Sequence, residues 1–422
     1  MSLRSEPIPD VPEETVRVAR AAFPKGNLYL KMRDELGIFY DDADFAELFS
    51  TRGQPAFSPW RLALITVMQF AEGLSDRQAA EAVRARIDWK YALSLDLEDA
   101  GFDFSILSEF RSRLVENSRE SVLLEKMLER FREKGWLKGR GRQRTDSTHI
   151  LANVRHLNRL ESVCEMLRAA LNAVAKIAPE WLKRRVPADW FDRYDHRIEE
   201  YRLPKGKGKR NDYAALVGTD GIYLLSLIDS PDAPAEIQEL KMIKLLRQMW
   251  NHQFELKDGK PQLKAAKDLA PANERFDSPY DAEARYGNKR ATEWRGYKAH
   301  FTETCDEDCP FLICNVETTP ATIPDLLMSR AIHDSLRKKK LLPATHLLDS
   351  GYIEAAFVAE NARAEEPVEI MGPLRANVQW QAQKADGFAL SDFAIDWETR
   401  QVTCPEGQTT KNWYLINPSC QL

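Results

Sequence analysis

Between Trp294 and Ala364 the hydrophobic period of the chain changes several times, and this order limits the possible folds more than any other feature. "WRGYKAHFTET" alternates like a strand, and "PFLICNVETTPA" is a second strand bounded by Pro310 and Pro320. "TIPDLLMSRAIHDSLRKKK" has the spacing of an amphipathic helix. "ATHLLDSGY" is a short apolar strand that ends at Asp349, and "IEAAFVAENARA" is a helix. Upstream, "GRGRQRTDSTHILANVR" carries β-branched residues at 145, 148 and 150 behind two glycines and suits a further strand. Residues 156–290 between these strands are mainly helical in pattern. The order β-β-β-α-β-α, with a helical block inserted after the first strand, predicts a mixed α/β (α+β) fold with a partly antiparallel sheet.

The preceding part is all-α. Pro59 suits the first turn of a helix with Ser58 as its cap, and Gly73 ends it. Ser75 caps a long second helix over "DRQAAEAVRARIDWKYALS". A third begins near Asp103 or Ser105, and "SVLLEKMLERFREKG" forms a fourth. Residues 1–58 are an arm with one short helix near 13–22 and a loop over "FAELFSTRGQPAFSP". The predicted domains are therefore 1–58, a helical domain over 59–136, a mixed α/β core over 137–370, and a segment over 371–422. Within the insertion, "YAALVGTDGIYLLSLI" reads first as a hairpin turning at Thr219-Asp220-Gly221, with a helix or a loop pair left open. "EIQELKMIKLLRQMWNHQFEL" is a helix.

Composition narrows the function classes. The longest apolar run, "LALITVM", is too short to cross a bilayer, and the N-terminus has no apolar secretion core. A cytoplasmic protein with no membrane contact is the expectation. Six cysteines in 422 residues do not make a disulfide framework, and Cys305, Cys309 and Cys314 lack zinc-like spacing. The net charge is −5, yet basic residues cluster: seven against one acid over 130–144, five with no acid over 202–210, and Arg337 to Lys340. Such runs on an acidic chain fit a polyanion track.

Asp146 follows the first of these runs. A carboxylate there is either a surface ion-pair partner or a metal ligand beside arginines that hold phosphate. Asp349 closes an apolar strand and leads into Ser-Gly-Tyr, so metal ligation and a helix N-cap are both open. Phosphodiester chemistry uses hard oxygen ligands for Mg²⁺ or Mn²⁺, and two strands can bring together acids far apart in sequence. Arg140, Arg142, Arg144, Lys205, Lys207, Lys209, Arg210, Arg295 and Lys298 are the candidate DNA contacts. His149 and His346, which flank the acids, read as structural.

"RTDST", "EWRGYKAHFTETCDEDCPFLICNVETTPATIPDLL", "HLLDSGY" and "FAIDWETRQVTCPEGQT" together resemble DDE-class transposases of bacterial insertion sequences. "SPWRLALITVMQFAEGLSDRQAAEAVRARIDWKYALSL" is similar to their helical DNA-binding domain. The resemblance spans roughly residues 15–415. It implies an RNase H-like core that binds element ends in double-stranded DNA, nicks them with two Mg²⁺ (or Mn²⁺) ions and transfers the strand to a target, with a homo-oligomer pairing two ends. Asp146 matches the first acid of the triad and Asp349 the second. The family's third acid, a helical glutamate, lies downstream of the stretch that begins here at "TCPEGQ", and the chain stops at Leu422. The resemblance therefore implies a truncated, inactive or nearly inactive product, with Cys404 and Cys420 the remnant of the family's cysteine cluster. Two other readings remain: a non-catalytic remnant that occupies element ends or inhibits intact copies, and an RNase H-like nuclease.

Overall fold

The computed structural model describes residues 2–3, 7–155, 157–289, 291–373, 380–384 and 387–413; Cys420 and the chain end at Leu422 lie outside them. Its centre is a mixed sheet. The strands are β1 (Arg142–Leu151), β2 (Arg285–Lys289), β3 (Thr292–Thr304), β4 (Ile313–Pro320), β5 (Thr345–Leu348) and β6 (Glu369–Met371). β3 runs antiparallel to β1 on one side and to both β2 and β4 on the other. β5 runs parallel to β1, and β6 parallel to β5. The lateral order is β4 (with β2)–β3–β1–β5–β6, so the first strand in sequence lies in the middle. The helices Met328–Lys338 and Ala355–Arg363 make the two parallel crossovers. The predicted succession of elements is met; the short strands β2 and β6 were not foreseen.

One face of the sheet packs on a core of Leu336, Leu341, Leu348, Tyr352 and Phe357. Leu128, from the helix Val122–Glu133, belongs to the same core, so that helix packs against the sheet.

The helices between residues 28 and 116 share a second core. Trp60, Ile65, Met68, Trp89 and Phe110 pack there with Tyr29, Phe39, Tyr40 and Phe45. Residues read as an arm thus contribute a helix, Leu28–Leu36, and a 3₁₀ turn, Asp42–Leu48, to this core. The 3₁₀ turn replaces the first part of the loop expected over "FAELFSTRGQPAFSP". Helix Pro59–Glu72 begins and ends where predicted, with Gly73 left-handed at φ 65°. Its cap differs, because the Ser58 hydroxyl donates to Asp42, and Asp42 takes the Trp60 N–H at 3.1 Å. Ser75 forms a capping box with Gln78 on Asp76–Ala85, and the chain then breaks at Arg86 before Ile87–Ala92. The single long helix expected there is therefore two.

The insertion has a third core, built on Arg159–Ile177, Lys207–Ile228 and Lys241–Gln253. The hairpin first read at Thr219-Asp220-Gly221 is the interior of the Lys207–Ile228 helix. Asp220 is buried and takes the Tyr194 hydroxyl at 2.6 Å, with Arg193 beside it. A Cβ on Gly221 would sit 2.2 Å from the Trp250 ring, and the Trp250 indole N–H donates to the Gly218 carbonyl at 3.0 Å. These glycines let two helices touch rather than turn the chain. The helix expected over 236–256 ends at Gln253, and Phe254–Lys257 pairs with Lys260–Leu263 as a hairpin.

Candidate functional site

β1 alternates strictly at its start. Gly141, Gln143 and Thr145 are buried; Arg140, Arg142, Arg144 and Asp146 are exposed. A period of two therefore puts the basic run and the aspartate on one outer face. A cleft of about 380 Å³ opens beside it, lined by Arg144, Asp146, Thr148, Phe301 and Glu303.

The last parallel rung between β1 and β5 pairs Thr145 with Leu348. The next residue on β1 is Asp146, and the residue that follows the end of β5 is Asp349. Neighbouring strands lie about 5 Å apart, so two carboxylates 203 positions apart in sequence end on adjacent chains. Asp146 accepts the Ser147 N–H at 2.7 Å, and Asp349 accepts the Gly351 N–H at 2.6 Å. Asp349 is not a helix cap: the following helix starts at Ala355 behind Glu354.

A third carboxylate approaches. Measured from the position a Cβ on Gly351 would take, Asp349 Oδ1 lies at 2.8 Å and Asp325 Oδ2 at 3.5 Å. Asp325 also accepts from the Ser147 hydroxyl at 3.2 Å and from Lys298 Nζ at 2.7 Å, in an ion pair that is nearly buried. Tyr352 stands behind it, with its hydroxyl 2.6 Å from His300 Nδ1. Burial, and then the charges of Asp325, Asp146 and Asp349, hold the Tyr352 phenol well above its ordinary pKa. Burial keeps His300 below its usual value. Asp325, Tyr352 and His300 were not singled out in the sequence. Only the Pro-Asp turn ahead of a helix marks Asp325, and that reads equally as a cap.

The basic candidates are spread out. Arg140 donates to the Pro367 carbonyl at 2.5 Å, and Arg144 pairs with Glu303 at 2.6 Å while lying over the Phe311 ring. Arg142 is exposed on the same face. Arg295 pairs with Asp277 at 2.5 Å and Lys298 with Asp325, so both are engaged within the protein. Lys205, Lys207 and Lys209 are exposed at the start of the Lys207–Ile228 helix, and Arg210 pairs with Glu200. That group belongs to the insertion rather than to the strand bearing Asp146.

Beneath Asp146 the buried face is polar, and its threonines and histidines are joined in one chain. Thr302 Oγ1 lies 2.7 Å from Thr145 Oγ1, and Thr145 Oγ1 lies 2.7 Å from His346 Nε2. His346 Nδ1 is 2.9 Å from His333 Nε2, and His333 Nδ1 is 3.0 Å from Asn361 Oδ1. The Asn361 amide nitrogen donates to the Phe357 carbonyl, so Oδ1 must accept and His333 donates to it. The remaining directions follow, and both histidines are neutral. Burial lowers the pKa of His333 to about 4 and of His346 to about 3. His346 is thus structural, as read. His149 lies against the Trp294 ring, with centroids 5.4 Å apart.

Mg²⁺ takes one or two protein carboxylates and completes its shell with water and phosphate oxygens. Asp146 and Asp349, exposed and adjacent, are donors of that kind. Among the described residues no group of three or more His, Cys, Asp and Glu side chains could hold a metal ion. The described cysteines are unpaired, and Cys314 is buried with its thiol toward the Thr302 carbonyl. Among the described residues no helix is long and apolar enough to cross a membrane.

No curated protein and no solved structure matches the chain. Residues 17–113, in the helical part ahead of β1, match the family model of a transposase domain (DUF772), which supports a transposase family for this chain.

Proposed function

We propose that this chain is a DNA transposase of the DDE type, with an RNase H-like core whose divalent-cation ligands are Asp146 and Asp349. One observation carries the reading: the parallel register of β1 and β5 ends at Thr145–Leu348, and an aspartate follows each of those residues. The antiparallel β3 and β4 on one side of β1, the parallel β5 and β6 reached through helices on the other, and the insertion after β1 support this reading. The transposase-domain match over residues 17–113 supports DNA as the substrate and the helical part as its binding module.

When bound, Mg²⁺ or Mn²⁺ would polarise the scissile phosphate and lower the pKa of an attacking water or hydroxyl. The protein's own residues orient and neutralise. The Ser147 and Gly351 amides hold the two carboxylates, and Lys298 balances Asp325, so that the nearby acids do not all repel one another. Arg142 and Arg144, four and two residues before Asp146 on the same outer face, are the groups best situated to meet a DNA backbone; Arg144 would exchange Glu303 for phosphate.

The test is strand cleavage and strand transfer on a matched DNA end with Mg²⁺ or Mn²⁺, alongside Mn²⁺ binding to the free protein. Asp146→Ala and Asp349→Ala should each lower the rate by about a hundredfold or more, since a lost ligand removes several kcal/mol of charge stabilisation. Each should also weaken Mn²⁺ binding while the melting temperature holds, because both side chains are exposed. If cleavage survives both substitutions, the assignment fails. If DNA ends are bound but never cut by the parent chain, the non-catalytic binding role takes its place.

A further inference from the structure

Where the insertion joins the sheet there is a second polar cavity, far from the aspartates. It measures about 200 Å³ and is lined by Arg159, Ser162, Gln253, Arg275, Tyr286 and Arg295, among others. Arg295 leaves β3 just beyond the Leu151–Gly296 rung, five residues along β1 from Asp146, or roughly 17 Å.

Its charges do not balance. Arg159 spends its donors on neutral oxygens: Gln253 Oε1 at 2.6 Å, the Lys264 carbonyl at 2.7 Å and the Gln253 carbonyl at 3.0 Å. Arg275 has no side-chain hydrogen bond or ion pair among the described residues, and its Nε is buried without a partner. Only Arg295 meets a carboxylate, Asp277. Glu161, next to Ser162 in the helix, is turned toward Arg155. Three guanidiniums thus face one acid. The field is felt nearby: burial, and then the Arg275 charge, lower the pKa of Arg159, and His252 is lowered by burial with Lys264, Arg275 and Arg285 against the single acid Glu274.

A second observation points to a ligand. Ser162 is 3 % exposed, lines the cavity, and its hydroxyl has no hydrogen-bond partner. A buried unpaired hydroxyl beside a buried unpaired guanidinium N–H costs about 1–3 kcal/mol for each group unless something accepts from them. The missing species is an acceptor with negative charge. The cavity falls below the roughly 300–1,000 Å³ of pockets that take drug-sized molecules, which leaves room for a small oxyanion or one phosphodiester group.

We propose that Arg159, Ser162, Arg275 and Arg295 form a phosphate-binding site, with Arg275 and Ser162 donating to the phosphate oxygens and Arg159 supplying charge. The phosphate is either one group of a DNA backbone or free inorganic phosphate. The site is separate from the aspartates and holds whether or not they bind metal.

The experiment compares the full chain with Arg275→Met and Ser162→Ala. Thermal unfolding is followed in inorganic phosphate and in chloride at equal ionic strength, and binding of a short labelled DNA duplex is followed against salt. Phosphate should raise the parent's melting temperature. Arg275→Met should weaken phosphate binding by about tenfold or more, and in chloride it should melt no lower than the parent, because it removes an unpaired charge. Ser162→Ala should weaken binding by a few-fold without loss of stability. Asp146→Ala should bind phosphate like the parent, which separates this site from the catalytic reading. A slope of log affinity against log salt that falls by about one in Arg275→Met assigns the phosphate to the DNA backbone. An unchanged slope with lost phosphate stabilisation assigns it to free phosphate. A parent whose melting is indifferent to phosphate and whose salt slope survives Arg275→Met overturns the site, as does an Arg275→Met protein that melts lower in chloride, since the guanidinium would then be a structural group.

Discussion

The two faces of β1 do opposite things with polar residues. On the outer face Arg142, Arg144 and Asp146 are exposed, and the Arg144–Glu303 pair stands in water. On the inner face Gln143, Thr145 and their neighbours His346 and Thr302 are fully or nearly fully buried, and every member of the Thr302–Thr145–His346–His333–Asn361 chain is bonded to the next. The difference teaches that one strand can carry a loose, chargeable surface because its other side is tied down without any net charge. Thr145 and His346 join β1 to β5 diagonally, one residue before Asp146 and three before Asp349, so the inner face sets the spacing of the outer one.

This contrast can be broken from the inside first. His346→Leu leaves Thr145 and His333 without their shared partner, and should cost about 3 kcal/mol in urea unfolding, the sum of two buried groups left unpaired. A loss under about 0.5 kcal/mol would mean that the chain of bonds does not hold the strands.

Acid sharpens the same point. His333 and His346 titrate in the folded protein at about 4 and about 3, below the ordinary value near 6.5. The unfolded chain therefore takes up protons first as the pH falls. Their contribution to stability is complete above about pH 6.5 and is lost progressively below it, toward the folded values, at about 1 kcal/mol per pH unit for each histidine. A second proton on the pair would also set N–H against N–H. Unfolding free energies at pH 7, 6 and 5 should fall in the parent and fall less steeply in His346→Leu; equal slopes would remove these histidines from the account.

The smallest effect belongs to the outer face. Arg144→Ala should change stability by no more than about 0.5 kcal/mol, as exposed ion pairs contribute little. A larger loss would show that the outer face is not loose after all.

Much of the sheet was legible because period and punctuation agree. "WRGYKAHFTET" alternates, prolines bound "PFLICNVETTP", and "THLLD" is apolar until its acid. The places that misled are those where a distant contact overrides a local signal. Asp220-Gly221 is a turn signal in sequence, yet Tyr194 and Arg193 hold the acid and the Trp250 ring requires the missing Cβ. Ser58 is a fair cap, yet Asp42 from a neighbouring segment takes the role. At the candidate site, Asp146 and Asp349 were visible because each sits in or at the end of a strand. Asp325 was not, since its place depends on Lys298 and Ser147, residues that only the folded sheet brings to it. The basic runs were visible as composition, but composition does not reveal that Arg295 and Lys298 are already engaged.

The helical excursion after β1 bears on how the molecule assembles. Leu151 pairs with Gly296, so the central rungs of the sheet join parts of the chain with the whole insertion spooled out between them. Loop-closure entropy grows only as the logarithm of length, so this detour weakens the final state little, but such distant pairings slow the approach to it. A compact insertion with its own apolar interior shortens the effective tether, since Arg159 at its start and Lys264, just past its helices and hairpin, are already clasped together. β1 leaves the ribosome well before β3 is made, and the refolding speed of this protein is therefore tied to how quickly the excursion collapses on itself.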